Sequence, residues 1–357
     1  LEIGTKLILL KSGQLISFLI QTFLSMLMAP FYKKDKNTIT PTTTSYPKTK
    51  KGSYLLLDPY AHRGFYYKAQ LHLHTNRSAD GLWSREEAIS TYKKLGYKIL
   101  AIADHDRVNN RICEDPELLI IPAEEHTFPR PFWPLGPHAV ILFPQKHVRG
   151  RSFGHRLHKM NSQRAMINIA HPSWPGSLGS GQWHLEELLT LSKGFQLMEV
   201  CSSKSEPTDD TLRWHNLISH LGPDKPVWAT AGDDSHSMDF YHYCWLEIKA
   251  SSFDLDSIRH ALNSGSFYPT MGPQIAFSTE DNLIKVALEE EAHISFIAGV
   301  GPQEPPLIVS EVQGIKATYK PKGDEQFVRV EVVNSLGQRA WSQPFWLISN
   351  TEASHVS

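Results

Sequence analysis

Over residues 60–272, the spacing of apolar residues alternates between the pattern of strands and the pattern of helices. Short apolar runs predict strands, in chain order, at 67–73, 98–103, 118–123, 139–143, 165–170, 195–200 and 227–231. Apolar residues at helical spacing predict helices at 85–95, 153–162, 185–191 and 211–221, and a last strand and helix follow at 244–248 and 255–263. This order is typical of a parallel sheet or an α/β barrel, and the number of strands favours a barrel.

The pattern changes after Gly272. Short apolar runs separated by Gly, Pro and Asn turns predict strands at 283–288, 293–297, 307–312, 327–333 and 345–348. Antiparallel strands joined by short turns are typical of a sandwich. We therefore expect an α/β domain over residues 60–272 and a small antiparallel β-sandwich over residues 273–357.

The segment 1–34 differs from the rest of the chain. Leu19, Phe23 and Leu27 belong to an amphipathic stripe at four-residue spacing, with lysines on both sides. Three interpretations stay open: a signal sequence or short membrane anchor, an interfacial or partner helix, or a start assigned too early, with Met28 as the first residue.

Residues 35–59 are interpreted as a linker, because their first part is rich in Thr, Pro and Lys and poor in apolar side chains. We expect a cytoplasmic protein, or an exported or anchored one if residues 1–34 belong to the mature chain. Membrane contact is expected only through that segment.

Composition narrows the function. The chain has 357 residues and a formal net charge of -1, which excludes a generally basic nucleic-acid surface, so no stable nucleic-acid partner is expected. Three cysteines do not suggest a disulfide framework. The 18 histidines are the informative number, because histidine is the commonest metal ligand.

Ligand-type side chains occur at the ends of the predicted strands. His72 and His74 alternate with leucines, so both point to one face of the first strand. Other imidazoles and carboxylates follow or open later strands: Asp80, His105, Glu124, Glu125, His138, His171, Asp234 and His236. In an α/β barrel, catalytic groups gather from the carboxyl ends of several strands. We therefore expect these residues to form a metal site.

The number and type of these ligands indicate the chemistry. They exceed the three or four protein ligands of a single catalytic zinc and suit two or three divalent ions, with one carboxylate bridging. Mixed imidazole and carboxylate ligands suit Zn, Mn or Fe. Such ions activate water and polarise a phosphoryl or carbonyl oxygen, so hydrolysis without a covalent protein intermediate is the expected reaction.

The same residues resemble the motifs of the PHP (polymerase and histidinol phosphatase) domain. Those motifs are H-x-H-T-x-x-S-D-G, T-D-H-D, P-G-x-E, a lone H, A-H-P and G-S-D-x-H. This chain has, in the same order, HLHTNRSADG, ADHD, PAEEHT, GPHAV, AHP and GDDSH. The resemblance covers about residues 65–270 and implies a distorted (β/α)7 TIM-like barrel with two or three metal ions.

The resemblance also implies roles for individual residues. One ion would be held by His72, His74, Glu125 and Asp234. Glu125 would bridge to a second ion held with His138 and His171, and Asp80, His105 and His236 would hold a third. Glu125 matches the motif better than Glu124, because the motif places its ligand three residues after the proline.

Two positions depart from the motifs. Ala79 lengthens the first loop by one residue, which makes the third site the least secure. Asp233 stands where the motif has serine; it adds negative charge and could compete with Asp234.

The C-terminal part, with GSFYPTMGP and FVRVEVVNSLGQRAWSQPF, is more loosely similar to PHP metallohydrolases of the CehA/McbA type. That similarity implies a complete barrel-plus-sandwich enzyme.

The leading hypothesis is a metal-dependent phosphoesterase in which a metal-bridging hydroxide attacks phosphorus, with a small-molecule or nucleotide-like phosphoester as substrate. Arg77 is a candidate for binding the phosphate. The first alternative is a carbamate, ester or amide hydrolase with the same metals. The second is a non-catalytic exported binding protein.

Overall fold

The computed structural model of the chain describes residues 54–110, 115–128, 136–150, 152–176, 181–302 and 304–349. The predicted segment 1–34 and most of the predicted linker lie outside these residues. In the described part of the chain, no helix combines the length and the apolar composition that crossing a membrane requires.

Strands and helices alternate in the first part of the chain, as the apolar pattern predicts. In order they are β1 (Tyr54–Leu57), β2 (Phe65–Leu73), α1 (Arg85–Lys94), β3 (Ile99–Ile102), β4 (Leu119–Ile121), β5 (Ala123–Thr127), β6 (His138–Leu142), α2 (Phe153–Ser162), β7 (Met166–Ile169), α3 (Leu185–Leu191), β8 (Leu197–Ser202), α4 (Pro207–Leu221), β9 (Trp228–Gly232), β10 (Trp245–Ala250) and α5 (Leu255–Ser264). Helix α4 starts four residues earlier than predicted, at Pro207, because proline is well accommodated in the first helical turn.

The remaining described residues form strands only. They are β11 (Phe267–Thr270), β12 (Ile275–Glu280), β13 (Leu283–Gly299), β14 (Leu307–Tyr319), β15 (Phe327–Asn334), β16 (Arg339–Trp341) and β17 (Phe345–Ser349). The predicted change to strands after Gly272 is therefore confirmed in the described residues.

Hydrogen bonds connect seven strands of the first part, β2, β3 and β5 to β9, in a closed circuit. One sheet has the order β5-β6-β7-β8-β9, and β2 and β3 are parallel neighbours in the other sheet. Two parallel bridges, Leu73 to Ser235 and His105 to Glu125, connect the sheets on either side. The ends of β2, β3, β5 and β9 therefore meet at one place, and this is where the candidate site lies.

Strand β6 breaks the predicted parallel order, because it runs antiparallel to both β5 and β7. The backbone amide of Phe128 donates to the carbonyl of Pro137 at 3.0 Å, so β5 and β6 are paired as a hairpin. Parallel neighbours need a crossover of a dozen residues or more, and the ten positions between these strands are too few. The fold is thus a mixed α/β structure.

The predicted two-sheet sandwich is not observed among the described strands. The C-terminal strands are antiparallel, but hydrogen bonds run from β15 through β16 to β11 and onward to β10 and β2, in one sheet of 12 strands. The long strand β13 pairs with β12 over its first half and with β15 over its second half. Its pairing with β14 shifts register between Ala287 and Ala292. The division of the chain into domains at residue 272 stays a prediction.

Residues 54–57, at the end of the predicted linker, form β1 and pair with β17. Tyr54 and Leu56 are buried and Leu55 is exposed, which is the two-residue period of a half-buried strand. This period covers only four residues, and composition over the longer segment concealed it.

Two large apolar clusters stabilise the structure. The first is formed by the circuit strands and side chains of α2 to α5, such as Trp214 and Ile258, and it includes Trp341 and Trp346 of the C-terminal strands. The second lies among β12 to β15 and contains Phe277. Because tryptophans from the last strands complete the first cluster, the C-terminal part contributes to the core behind the site.

Helix α4 contacts β15 through a buried histidine–arginine pair. The Nε of Arg329 donates to Nδ1 of His215 at 3.4 Å, and both residues are buried. The guanidinium also donates to Glu331 at 3.3 Å. Burial lowers the pKa of His215, and the charge of Arg329 lowers it further, to about 3.

We expect the free energy of unfolding to decrease as the pH falls from about 6.5 towards 3, because only the unfolded chain protonates His215. Of the free energy of unfolding that depends on this pKa difference, about 2 kcal/mol should be lost between roughly pH 7 and pH 5. In His215→Gln this contribution is absent, so urea unfolding should give a flatter pH profile than in the wild type. Equal slopes in the two proteins would contradict this account.

Candidate metal centre

Four buried residues of the site lie on or just after three strands. His72 and His74 project from one face of β2, while the intervening Leu73 packs into the apolar core. Glu125 lies on β5, and Asp234 follows β9. All four are at most 4% exposed, so these ligand-type side chains face one another away from solvent.

These four side chains form a compact group of donor atoms. The Nε2 atoms of His72 and His74 lie 3.2 Å apart. Oε2 of Glu125 is 3.4 Å from the first and 3.1 Å from the second, and Oδ1 of Asp234 is 3.3 Å and 3.0 Å from them. Four donor atoms within 4.8 Å of one another could hold a metal ion.

Glu125 is the centre of the wider site. Its Oε1 lies 3.0 Å from Nδ1 of His138 and 3.2 Å from Nε2 of His171, while its Oε2 lies 3.2 Å from Nδ1 of His105. The carboxylate thus connects the buried group to further imidazoles. This is the position that a bridging ligand requires.

A third group lies towards the solvent. Oδ2 of Asp80 is 3.1 Å from Nε2 of His236 and 3.4 Å from Nε2 of His105, and His74 completes a set that could hold an ion. Asp80 is 53% exposed, so the site opens on this side. The extra Ala79 does not prevent Asp80 from reaching the two imidazoles.

The structure therefore brings together all nine residues to which the motif resemblance gives ligand roles. Glu124, the tenth candidate from the sequence, contacts His147 instead. The grouping differs in detail, because His74 also belongs to the outer set, and His105 stands with Glu125 and His138 in another. The assignment of each residue to a particular ion stays a prediction.

The buried carboxylates of the site require positive charge beside them. Burial raises the pKa of Glu125, but the imidazoles of His138, His72 and His105 lower it by more, to well below its usual range. Burial lowers the pKa of His105, and the carboxylates of Glu125 and Asp80 raise it by more, to about 9. At neutral pH the carboxylates are ionised, and either protons on the imidazoles or bound cations must balance them.

Several atoms in the site make no hydrogen bond of good geometry to any described residue, although charged neighbours lie close to them. They are Oε2 of Glu125, Oδ1 of Asp234, Nδ1 of His105 and Nδ1 of His171, all buried. A buried polar atom without a partner costs about 1–3 kcal/mol, so such atoms normally have a ligand. Imidazole nitrogens and carboxylate oxygens are the ligand types that Zn, Mn and Fe accept. The residues present thus fit divalent metal ions.

Glu199 on β8 orients two of the histidines. Its Oε1 lies 2.9 Å from Nδ1 of His72, and its Oε2 accepts a hydrogen bond from the backbone amide of His171 at 2.7 Å. When Nδ1 of His72 carries the proton, Nε2 is left with a free lone pair towards Glu125. A carboxylate behind a ligating imidazole is the common arrangement of metal sites.

Asp104 organises the loop after β2. Its Oδ1 accepts from the amide of Thr75 at 2.7 Å and from the hydroxyl of the same residue at 2.9 Å. Ser78 Oγ lies 3.1 Å from Nδ1 of His74 and accepts from the amide of His105 at 2.9 Å. Sequence analysis missed Ser78, although it occupies the serine of the first PHP motif.

Gly232 is another residue that sequence analysis missed. A Cβ atom there would lie 2.5 Å from Cβ of His72 and 2.7 Å from Oε1 of Glu199. Only glycine lets the end of β9 approach β2 this closely. The glycine of the GDDSH segment was the available signal.

The neighbours of Glu125 on β5 point to a separate cluster. Oε2 of Glu124 is 2.7 Å from Nδ1 of His147, and Nη1 of Arg156 donates to Nε2 of His126 at 2.8 Å. Adjacent residues on a strand face opposite sides, so Glu125 alone of the two glutamates reaches the centre.

Two cationic side chains lie on loops that adjoin the site. Nζ of Lys204, in the loop after β8, lies 3.8 Å from Oδ2 of Asp234. Arg77 is half-buried on the loop between His74 and Asp80, and its backbone amide donates to Thr75 Oγ1 at 3.4 Å. Lys204 therefore contacts the site directly, and Arg77 lies on a loop that carries it.

Comparison of the sequence with protein-family models finds no match, and comparison with curated proteins finds none either. Solved structures do match. One is a two-domain protein from Bacteroides vulgatus containing a predicted PHP-like metal-dependent phosphoesterase, with 13% identity, 84% of this chain and 99% of that chain covered, and a TM-score of 0.48.

Two further structures are similar over a smaller part of the chain. PsfC from Pseudomonas syringae has 16% identity, covers 58% of this chain and 92% of its own, and gives a TM-score of 0.44. The lesion-specific endonuclease PfuEndoQ from Pyrococcus furiosus has 12% identity, covers 56% of each chain and gives a TM-score of 0.40. The function proposed below rests on the residues of this chain.

Proposed function

We propose that this protein is a metal-dependent hydrolase of the PHP type that cleaves phosphoesters with two or three divalent ions. The observation that supports this most directly is the Glu125 carboxylate, whose two oxygens face five imidazoles in a buried site. We further propose that the closed strand circuit is the distorted seven-stranded barrel that the motif resemblance implies. The ions would be Zn, Mn or Fe, because these accept both ligand types present.

The proposed ligand sets are those that the motif resemblance implies. His72, His74, Glu125 and Asp234 would hold the most buried ion. Glu125 would share the second with His138 and His171, and the outer ion would be held by Asp80, His105 and His236. Bound divalent ions supply Lewis acidity, which lowers the pKa of a water towards neutrality and balances charge on a phosphoryl group.

The exposure of the side chains indicates how a substrate enters. His72 and His74 are buried, whereas the side chains of His105 and His236 are 23% and 18% exposed and Asp80 is half exposed. A phosphoester would therefore approach from the Asp80 side. It would meet the outer group first, with the scissile bond towards Glu125.

Lys204 would bind the phosphate. Its side chain is 35% exposed and its ammonium nitrogen lies near Asp234, so it can donate to an anionic oxygen at the buried group. Arg77 would contribute a second positive charge from the first loop. A neutral carbamate needs neither cation, and this difference favours a phosphoester.

The test is a comparison of ester classes on the full chain supplied with Mn²⁺ or Zn²⁺. We expect turnover of p-nitrophenyl phosphate or bis(p-nitrophenyl) phosphate and loss of this turnover in His74→Ala. Lys204→Met should lower kcat/KM for the phosphoester about tenfold or more, since a hydrogen bond to a charged group is worth about 1.5–3 kcal/mol. The matched control is Lys225→Met, an exposed lysine before β9, which should leave kcat/KM unchanged.

Other outcomes would assign a different function. Turnover of p-nitrophenyl acetate or 1-naphthyl methylcarbamate alone would make the protein an ester or carbamate hydrolase with the same site. No turnover of any ester by the ion-loaded protein would favour a non-catalytic binding protein.

A further inference from the structure

Asp233 lies next to Asp234 in the chain, but its carboxylate contacts a different part of the structure. Its Oδ1 accepts from the backbone amides of Tyr243 at 2.8 Å and Cys244 at 2.9 Å. Its Oδ2 accepts from the amide of His242 and the hydroxyl of Tyr92, both at 2.7 Å. These contacts direct the Asp233 carboxylate away from the ligand-type side chains, so they do not support the expected competition with Asp234 for ions.

These contacts close a loop over residues 233–244, which leaves the end of β9 and returns to the start of β10. Three consecutive backbone amides meet a single buried carboxylate, which accepts two hydrogen bonds on each oxygen. The Tyr92 hydroxyl also lies 2.9 Å from Ser235 Oγ, so helix α1 contacts two residues at the start of the loop. A charged acceptor makes each of these bonds stronger than a neutral one would.

Gln70 on β2 ties the same loop to the strand that carries His72. Its Oε1 accepts from the amides of His72 and Asp233, both at 3.1 Å, and its Nε2 donates to the carbonyl of Cys244 at 3.0 Å. The loop is thus fixed at both ends against the buried group of the site.

The closed loop contains two residues in the left-handed backbone region. Asp234 has φ +49° and His242 has φ +61°. Side chains disfavour this conformation in residues other than glycine, so it persists only where surrounding contacts hold it. The Asp233 carboxylate accepts a hydrogen bond from the amide of His242, and Asp233 directly precedes Asp234 in the chain.

The loop carries His236, whose position depends on this closure. Nδ1 of His236 lies 2.9 Å from the carbonyl of Asp234, and its own carbonyl accepts from the amide of Leu82 at 2.7 Å. Its Nε2 then reaches Asp80 in the outer group. Opening the loop would move His236 away from Asp80, whereas His72 and His74 on β2 would stay in place.

We infer that Asp233 is a positioning residue: its carboxylate closes the loop 233–244 and thereby holds His236 in the geometry that binds the outer ion. The inference rests on the proposed function for its link to metal binding. The closure itself is a property of the chain without ions.

The test compares Asp233→Asn with a matched control elsewhere in the structure. The asparagine carbonyl can accept from two of the four donors, but its N–H₂ group then faces the other two, so the loop should open. Glu325 is also buried and accepts from the amides of Lys322 and Gly323 and from the hydroxyl of Tyr319. Glu325→Gln therefore removes similar hydrogen bonds far from the site.

Two measurements decide between a positioning and a purely structural role. The first is a Mn²⁺ titration of protein from which a chelator has removed all ions. Asp233→Asn should lower the affinity for the weakest-bound ion about 10- to 100-fold and leave the affinity for the tightest-bound ion unchanged. Chymotrypsin should cut the ion-free variant near Phe240 at least about tenfold faster than the wild type, since the loop populates open states. Glu325→Gln should change neither quantity. Tyr92→Phe, which keeps the amide contacts, should show the same effects more weakly.

Equal ion affinities and equal cleavage rates for Asp233→Asn and Glu325→Gln would overturn the inference. A wild-type protein that binds no ion would overturn the proposed function, and the cleavage rates of the ion-free variants would still decide whether Asp233 closes the loop. If Asp233→Asn fails to fold, Tyr92→Phe provides both measurements, and wild-type values for it would contradict the role assigned to the closure.

Discussion

Replacing Glu125 with glutamine should lower kcat/KM for a phosphoester by a factor on the order of 10³ or more, equivalent to about 4 kcal/mol of transition-state stabilisation. The glutamine keeps the shape of the side chain but removes the charge that five surrounding imidazoles face. An amide presents a single acceptor oxygen, so it cannot face both the His138–His171 side and the His72–His74 side. The ions that share this carboxylate should therefore be lost together.

Glu124→Gln is the control for this prediction. Glu124 is as buried as Glu125 and adjoins it on β5, but its carboxylate contacts His147 instead of the site. We expect the control to lose stability and to keep its bound ions and kcat/KM. If both variants lose activity equally, the effect belongs to the folding of β5 and the central role of Glu125 is wrong.

Glu199→Gln should weaken metal binding by about 10- to 100-fold, the usual effect of removing the carboxylate behind a ligating imidazole. Glu199 accepts a hydrogen bond on each oxygen, from the His72 ring and from the His171 amide. Glutamine can accept only one of them and presents an N–H₂ group to the other donor. His72 then loses the partner that directs its Nε2 to the site.

The measurement for Glu199→Gln is competition for Zn²⁺ against a chelator of known affinity, with the melting temperature recorded alongside. A lowered melting temperature with unchanged zinc affinity would mean that Glu199 serves only to pack β8 against β2.

The order of elements and the identity of the candidate site residues could be predicted from sequence because both depend on local patterns. Apolar runs bounded by turns located most strands, and the position of each imidazole or carboxylate at a strand end is set by the two-residue period of that strand. His72 and His74 are the clearest example, because alternation with leucine alone places them on one face.

Features that depend on contacts distant in sequence could not be predicted. The antiparallel direction of β6 follows from its pairing partners, and β16 joins the C-terminal strands to β11 through a single residue pair, Thr270 and Ala340. The backbone amides that donate to Asp233 are nine to eleven residues further on, in a loop with no regular pattern, and Tyr92 donates from a distant helix. An extra carboxylate beside Asp234 suggested competition for ions, and only the position of the amides shows that hydrogen bonds stabilise it away from the site.

The most direct test of this account is a count of the ions bound to the purified full chain by inductively coupled plasma mass spectrometry. The wild type and Glu125→Gln should be compared after incubation with Zn²⁺ or Mn²⁺ and removal of free ions. We predict two or three ions in the wild type and the loss of most of them in the variant. A wild type that retains no ion, or a variant that retains the same number as the wild type, would contradict a metal centre built around Glu125.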